Sequence, residues 1–266
     1  MMSMQYQYLK VDLKDSVASV KLNREPNNSL NLDFLREIDL VHQEMEKDRQ
    51  VKAILLTAEQ DGYFSNGLDI DDLLKADANA KLQIFEQLYN TCLQIFKSGK
   101  IHVSFINGHA MAGGAVLAAM SDFRFFLAGP YRFCFSEAKI GLGLPPVFLK
   151  IIESIVGVQN LKSATLMAQA YKPPEALRIG LADEILDIEN TASKNLAKIH
   201  KFISHTLQIS PQSFRAMKSG LRSENIEKFS REKENTLAWF KSFFNANLDE
   251  GLLAIKEKRK AHFQDL

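Results

Sequence analysis

The segment that most restricts the fold is "HVSFINGHAMAGGAVLAAMSD", residues 102–122. Its first part is rich in strand-forming residues. Gly113 and Gly114 then open a run of small apolar residues that meets no charge until Asp122. Glycine costs about 1 kcal/mol relative to alanine inside a helix, so two at a helix start call for a reason. Either they let backbone pack closely on backbone, or they leave N–H groups exposed for use. The first half of the chain repeats a strand-then-helix order around this segment. "VASVKLN" (17–23) and "VKAILLTA" (51–58) are β-branched runs ending in polar turns. Between them Phe34, Leu35, Ile38, Val41 and Met45 recur at helical spacing over 31–48, with Asn31 as N-cap. A second helical face over 81–98 carries Leu82, Phe85, Tyr89, Cys92 and Phe96. Further strands are expected at 102–108, 123–128 and 132–137. The alternation predicts an α/β fold with helices packed on a sheet.

Beyond residue 145 the pattern turns helical, at 147–156, 159–168 and 173–182, the last opened by Pro173 and Pro174. From about residue 189 it is almost wholly helical, broken near "SPQS" (210–213). No Pro/Gly/Ser linker divides the chain. The expected organisation is a core over 1–195 and a C-terminal helical region over 196–266 that serves packing and oligomerisation.

With 266 residues, 46% of them hydrophobic, the chain can bury a large core. A net charge of +1 gives no global attraction for nucleic acid or an anionic membrane. Cys92 and Cys134 lack the spacing of a metal site, and reduced buried thiols are expected. The N-terminal "MMSMQYQYLKVDLKD" has neither a secretory pattern nor an Arg-rich transit pattern, and the C-terminal "FQDL" is no peroxisomal address. Apolar runs are too short to span a bilayer. A soluble, cytoplasmic protein is expected, with no membrane partner.

Familiar catalytic signatures are missing: no GxSxG, HExxH, Walker loop or GxGxxG occurs. "GLGL" (141–144) is too slight to suggest a nucleotide. His109, beside Gly108, is expected to be structural. Two glycine sites remain. "YFSNGLDI" (63–70) follows one strand, and "GHAMAGGAV" (108–116) follows another and enters a helix. Glycine-led turns of this kind can aim unpaired N–H groups from two loops at one oxygen, the geometry of an oxyanion hole. Taken alone, either glycine site more often serves packing.

Together with four other segments they resemble the crotonase (enoyl-CoA hydratase/isomerase) superfamily. "KLNREPNNSLNLDFLREI" resembles its N-terminal strand-turn-helix. "YFSNGLDI" and "INGHAMAGGAVLAAMSDFRFF" resemble its two oxyanion-hole loops. "RFCFSEAKIGLGLPP" resembles the segment with a catalytic glutamate, "EALRIGLADEIL" a later element, and "DEGLLAIKEKRKAHF" the last helix. The resemblance implies a spiral of ββα units with a C-terminal helical region, an acyl-CoA substrate, no cofactor or metal, and a homotrimer or dimer of trimers. It implies backbone donors at Leu68 and Gly113. CoA contacts would come from Arg24, Asn66, Asp69, Ile70 and Lys258, and Val116 and Leu144 would lie in the substrate pocket. Lys258 belongs to "KEKRK" (256–260), which by composition alone is a solvated helix face. Asp69, Asp71 and Asp72 suggest helix capping rather than a cation site.

Hydratases of this family use two glutamates. Val116 stands at the first position and Glu137 at the second. A lone base suits the proton shuttle of the delta-3,delta-2-enoyl-CoA isomerases, which the resemblance favours. Glu137 is then expected to have a raised pKa among Phe133, Phe135 and Val116. Two alternatives remain: a hydratase or other crotonase reaction using an unidentified residue within 71–90, and a non-catalytic acyl-CoA-binding subunit.

Overall fold

The computed structural model describes residues 6–60 and 62–265. Residues 1–5 of the N-terminal segment, and Leu266 of "FQDL", lie outside them. The first hairpin pairs β1 (Leu9–Lys14) antiparallel with β2 (Val17–Leu22), and α1 (Leu32–Lys47) follows. Asn31 caps α1, its side-chain oxygen accepting from the N–H of Phe34 at 2.9 Å. Phe34, Leu35, Ile38, Val41 and Met45 form the buried face of α1, as their spacing predicts.

Three turns of a spiral come next, each with a long strand, a short strand and helix. The first is β3 (Ala53–Ala58), β4 (Gly62–Ser65), α2 (Ile70–Lys75) and α3 (Ala78–Lys97). The second is β5 (Ile101–Ile106), β6 (Gly108–Met111) and α4 (Gly113–Ala119). The third is β7 (Phe123–Leu127), β8 (Phe133–Cys134), a 3-10 turn (Glu137–Ile140), α5 (Pro146–Val156), α6 (Val158–Thr165) and α7 (Pro173–Arg178). β9 (Glu184–Leu186) then closes the large sheet, in the order β1-β2-β3-β5-β7-β9. The short strands make a second, parallel sheet, β4-β6-β8. The chain ends in α8 (Ala192–Thr206), α9 (Pro211–Arg231), α10 (Lys233–Ser242) and α11 (Ala246–Lys256).

Every residue of β3 and β5 is buried, as expected of central parallel strands covered on both faces. The period of two divides their side chains between two cores. Ile54 and Leu56 join α1, α3, α4 and α5, whereas Ala53 and Leu55 face Ile199 and Ile203 of α8. Asn107 makes the step from β5 to β6. Its side-chain oxygen accepts from Ala58 N–H at 3.1 Å and its amide donates to Ala58 carbonyl at 3.0 Å.

The structure changes several expected boundaries. The strand expected over 132–137 shrinks to Phe133–Cys134, so Glu137 sits in the 3-10 turn. The strand over 102–108 divides between the two sheets. The helices over 159–168 and 173–182 end at Thr165 and Arg178. The residue 195/196 boundary falls inside α8. The C-terminal helices pack onto the spiral. Asp122, the first charge after the Gly-Gly run, is half-buried and its carboxylate pairs with Lys218 (2.6 Å) and Arg222 (3.0 Å) of α9. Among the described residues no helix is long and apolar enough to cross a membrane.

Candidate active site

The two glycine loops meet. After β4, Gly67 adopts φ +86°, a conformation favourable to glycine. Leu30 N–H donates to Gly67 carbonyl at 2.7 Å, and Asp69 N–H donates to Leu30 carbonyl at 3.0 Å. Both bonds flank Leu68, which pairs in parallel with Leu30, so its own N–H faces the opposite way. The second loop turns from β6 into α4 at Ala112, whose φ of 44° and ψ of −125° is a strained position for a residue with a Cβ. The tight bend is thus made by an alanine rather than by the glycines after it. The first bond inside α4 runs from Val116 N–H to Ala112 carbonyl, at 3.0 Å. Helix geometry leaves the N–H groups of Gly113, Gly114 and Ala115 without an intrahelical acceptor. A Cβ placed on Gly113 would lie 3.7 Å from Leu68 N, and one on Gly67 would lie 3.3 Å from Gly113 N. The two candidate donors therefore stand side by side.

The two glycines of α4 have different reasons. A Cβ on Gly114 would sit 2.5 Å from Ser65 carbonyl oxygen and 2.6 Å from Ser65 Cβ, so this glycine is required for packing on β4. Gly113 would meet only ordinary van der Waals contacts, at 3.5 Å and beyond. Gly108 belongs with Gly114, because its Cβ would collide with the backbone of Gly62 and Tyr63.

Leu68 and Gly113 open into a cavity of about 310 Å³ whose walls include Asn66, Ile70, Val116, Glu137, Leu142 and Leu144. Glu137 is 5% exposed. Its Oε2 has no hydrogen-bond partner among the described residues. Burial raises its pKa to about 7, against a smaller opposing effect of its own backbone N–H. Val116 shares this cavity, whereas Phe133 and Phe135 are buried in the core and are not among its walls. From 71–90 the cavity receives Leu73, Phe85 and Leu88, none able to move a proton. Glu137 is the one carboxylate among the wall residues.

The other sequence-derived candidates divide into two groups. Asn66, Ile70 and Leu144 line the cavity. Arg24 and Asp69 lie beside the first loop and hold each other, at 2.9 Å, with Arg24 also donating to Ser29 carbonyl at 2.7 Å. Asp69 caps α2 by accepting from the N–H groups of Asp71 and Asp72. Asp71 pairs with Lys256 at 2.6 Å. Lys258 is exposed, just past the end of α11, and is not among the cavity walls. His109 accepts from Arg132 N–H at 3.1 Å and packs against Tyr63 and Tyr131. Cys92 and Cys134 are free and buried, and burial pushes both thiols up.

Wall residues that the sequence reading does not name include Phe240 of α10 and Leu248, Leu252 and Ile255 of α11. The signal for the last three was their helical spacing in "NLDEGLLAIK". Gly251 lets α11 come close, because a Cβ there would collide with the backbone of Ile140 in the turn that carries Glu137.

The chain is 27% identical over 246 residues to enoyl-CoA delta isomerase 1, mitochondrial, of Mus musculus, covering 92% of this chain and 84% of that protein. It is 28% identical over 258 residues to a short-chain-enoyl-CoA hydratase of Clostridium acetobutylicum, covering 94% and 95%. The crystal structure of human mitochondrial delta3-delta2-enoyl-CoA isomerase superposes with a TM-score of 0.86 at 24% identity, over 95% of this chain and 98% of that one. That likeness shows the crotonase fold, a spiral of strand-strand-helix turns closed by C-terminal helices. The family model for enoyl-CoA hydratase/isomerase matches residues 12–266, and the chain belongs to that family.

Proposed function

We propose that the protein is an enoyl-CoA isomerase that moves a 3-ene to the conjugated 2-ene. The observation that carries this reading is the buried Glu137, its Oε2 without a hydrogen-bond partner and the one carboxylate among the wall residues, in a cavity it shares with an apolar Val116. The thioester carbonyl accepts from the N–H groups of Leu68 and Gly113. Glu137, as carboxylate, takes a proton from C2, and the electrons of that C–H bond pass into a dienolate whose oxygen is held by the two donors. The carboxylic acid then returns the proton at C4, leaving the double bond between C2 and C3. No cofactor or metal takes part, because one proton leaves and one returns. A pKa near 7 suits a group that must be base and acid in turn at neutral pH.

Water addition needs a group to hold and activate water, and among the described residues no second acid lines the cavity. The same reading gives Asn66 and Ile70 of the cavity wall to CoA, and the exposed Lys258 past α11 to its phosphates. The reading extends to a cytoplasmic homotrimer or dimer of trimers, which sedimentation and cell fractionation test.

The deciding experiment incubates purified protein with trans-3-hexenoyl-CoA and, separately, crotonyl-CoA. Conversion of the first without hydration of the second is expected. Folded Glu137→Gln should lose at least about 100-fold in isomerisation, the contribution of a general base, while retaining acyl-CoA binding through backbone donors. Turnover close to wild type in that variant rejects the mechanism.

A further inference from the structure

We infer that the stacked rings of Phe85 and Phe240 form the floor of the acyl pocket and set the longest acyl chain accepted. The inference rests on reading this cavity as an acyl-CoA site. The cavity has two unlike ends. Lys139 and Ile255 are exposed and Asn66 and Ile70 half-buried, which marks a mouth. Phe85 (1% exposed) and Phe240 (3%) belong to the cavity's buried part, together with Leu73, Phe148, Leu248 and Leu252. Leu88 of α3 stands next to the backbone donors, its Cδ2 lying 3.5 Å from where a Gly113 side chain would begin. Phe85 lies about one helical turn before Leu88 and continues the wall along α3.

Phe240 comes from α10 and meets Phe85 with ring centroids 4.6 Å apart at 30°, and Phe244 adds a second ring at 5.5 Å. This stack spans the gap between α3 and α10. It is also fixed in place. Trp239 donates its indole N–H to Gly143 carbonyl at 3.1 Å. A Cβ on Gly143 would lie 2.5 Å from Phe243 Cζ, so the loop and α10 are in close contact there. The same loop supplies Leu142 and Leu144 to the cavity. A floor tied to the wall does not swing away to admit a longer chain.

The volume sets an upper bound. The whole cavity, mouth included, is about 310 Å³, room for about ten non-hydrogen atoms at roughly 30 Å³ each. With the thioester carbonyl included, the acyl chain is limited to about eight carbons or fewer.

The test measures dissociation constants by calorimetry for saturated thioesters from butanoyl- to hexadecanoyl-CoA. Wild type should gain about fourfold in affinity per added methylene, the burial of one CH₂, up to a break at about eight carbons or fewer. Phe240→Ala should move the break longer by two carbons or more, and Leu252→Phe should move it shorter. If Phe240→Ala does not fold, Phe240→Leu and Leu252→Phe carry the comparison. Affinity that rises without a break in wild type, or a break that stays put in the folded variants, overturns the inference. Binding of none of the thioesters overturns it together with the acyl-CoA reading. A break that moves as expected, with no 3-enoyl-CoA isomerised, supports the length limit and rejects only the isomerase reading.

Discussion

Glu137 should make the protein less stable as pH rises, and Glu137→Gln should remove that dependence. In the folded protein the carboxyl holds its proton up to a pKa of about 7, and the ordinary value is 4.5. Between those values the native state binds more protons than the unfolded chain. Stability therefore falls with rising pH across this window and levels off above it. The full stabilisation is present below about pH 4.5 and is lost as pH passes through about 7. At 1.36 kcal/mol per pKa unit, the loss is about 3 kcal/mol for a group this deeply buried. Glutamine is the same size and does not titrate. Its cost of burying an amide is the same at every pH.

Urea unfolding of both proteins at several pH values between 4.5 and 8.5 gives the comparison. The stability of Glu137→Gln relative to wild type should improve by about 3 kcal/mol from the acidic to the basic end, with unchanged m-values. His42 and His102, buried with pKa values lowered by desolvation, titrate in both proteins and cancel in the difference. A difference constant to within about 0.5 kcal/mol would mean that Glu137 ionises like a free glutamate, and the argument from burial would fail. The same titration fixes the rate profile: kcat/KM should rise with pH through about 7 as the base loses its proton.

Leu68→Pro deletes the first backbone donor and should cost about 100- to 1000-fold in turnover, whereas Leu68→Ala keeps the donor and most of the activity; equal activities of the folded variants would remove Leu68 from the site. Gly114→Ala forces a Cβ against Ser65 and should destabilise by about 1–3 kcal/mol. Gly113→Ala meets no such contact and should stay within about 1 kcal/mol of wild type, so thermal melting that ranks them in the other order contradicts the division of roles. Lys258→Ala should raise KM for acyl-CoA and flatten its salt dependence with little change in kcat; unchanged salt dependence would leave Lys258 a solvated residue.

The parts of the fold that were legible in sequence are those whose residues carry their own instructions. α1 announces itself through Asn31 and five apolar positions at helical spacing, and β3 through an unbroken apolar run. β4, β6 and β8 were not separated because two to four residues give too few periods to read, and each is defined by its partners. Leu68 and Gly113 come from the family resemblance of the two glycine loops, and the bend at Ala112 has no such signal. A residue with a Cβ gives no sign that its neighbours force φ to 44°. The role of Gly114 was open between packing and catalysis, and only the nearness of Ser65 decides it. Phe240 was the hardest to find. It reaches the cavity from more than 100 residues beyond Glu137 in the chain, and nothing in "ENTLAWFKS" distinguishes a wall residue from ordinary core.

Val116 does more than omit a second acid. A carboxylate in its place would stand in the same largely apolar cavity as Glu137, and two like charges there would oppose each other's ionisation. One of the pair would be driven to hold a proton, and water would be drawn in to solvate the other. With valine, the polar side chains on the cavity wall are few: Asn66, Ser136, Lys139 and Glu137. On the isomerase reading this scarcity is useful twice. It keeps the pKa of Glu137 near neutrality, so that the group can both take and return a proton. It also leaves no second carboxylate to activate water against the conjugated product, whose C3 is open to attack. The same apolar wall therefore sets the strength of the base and protects the product that the base makes.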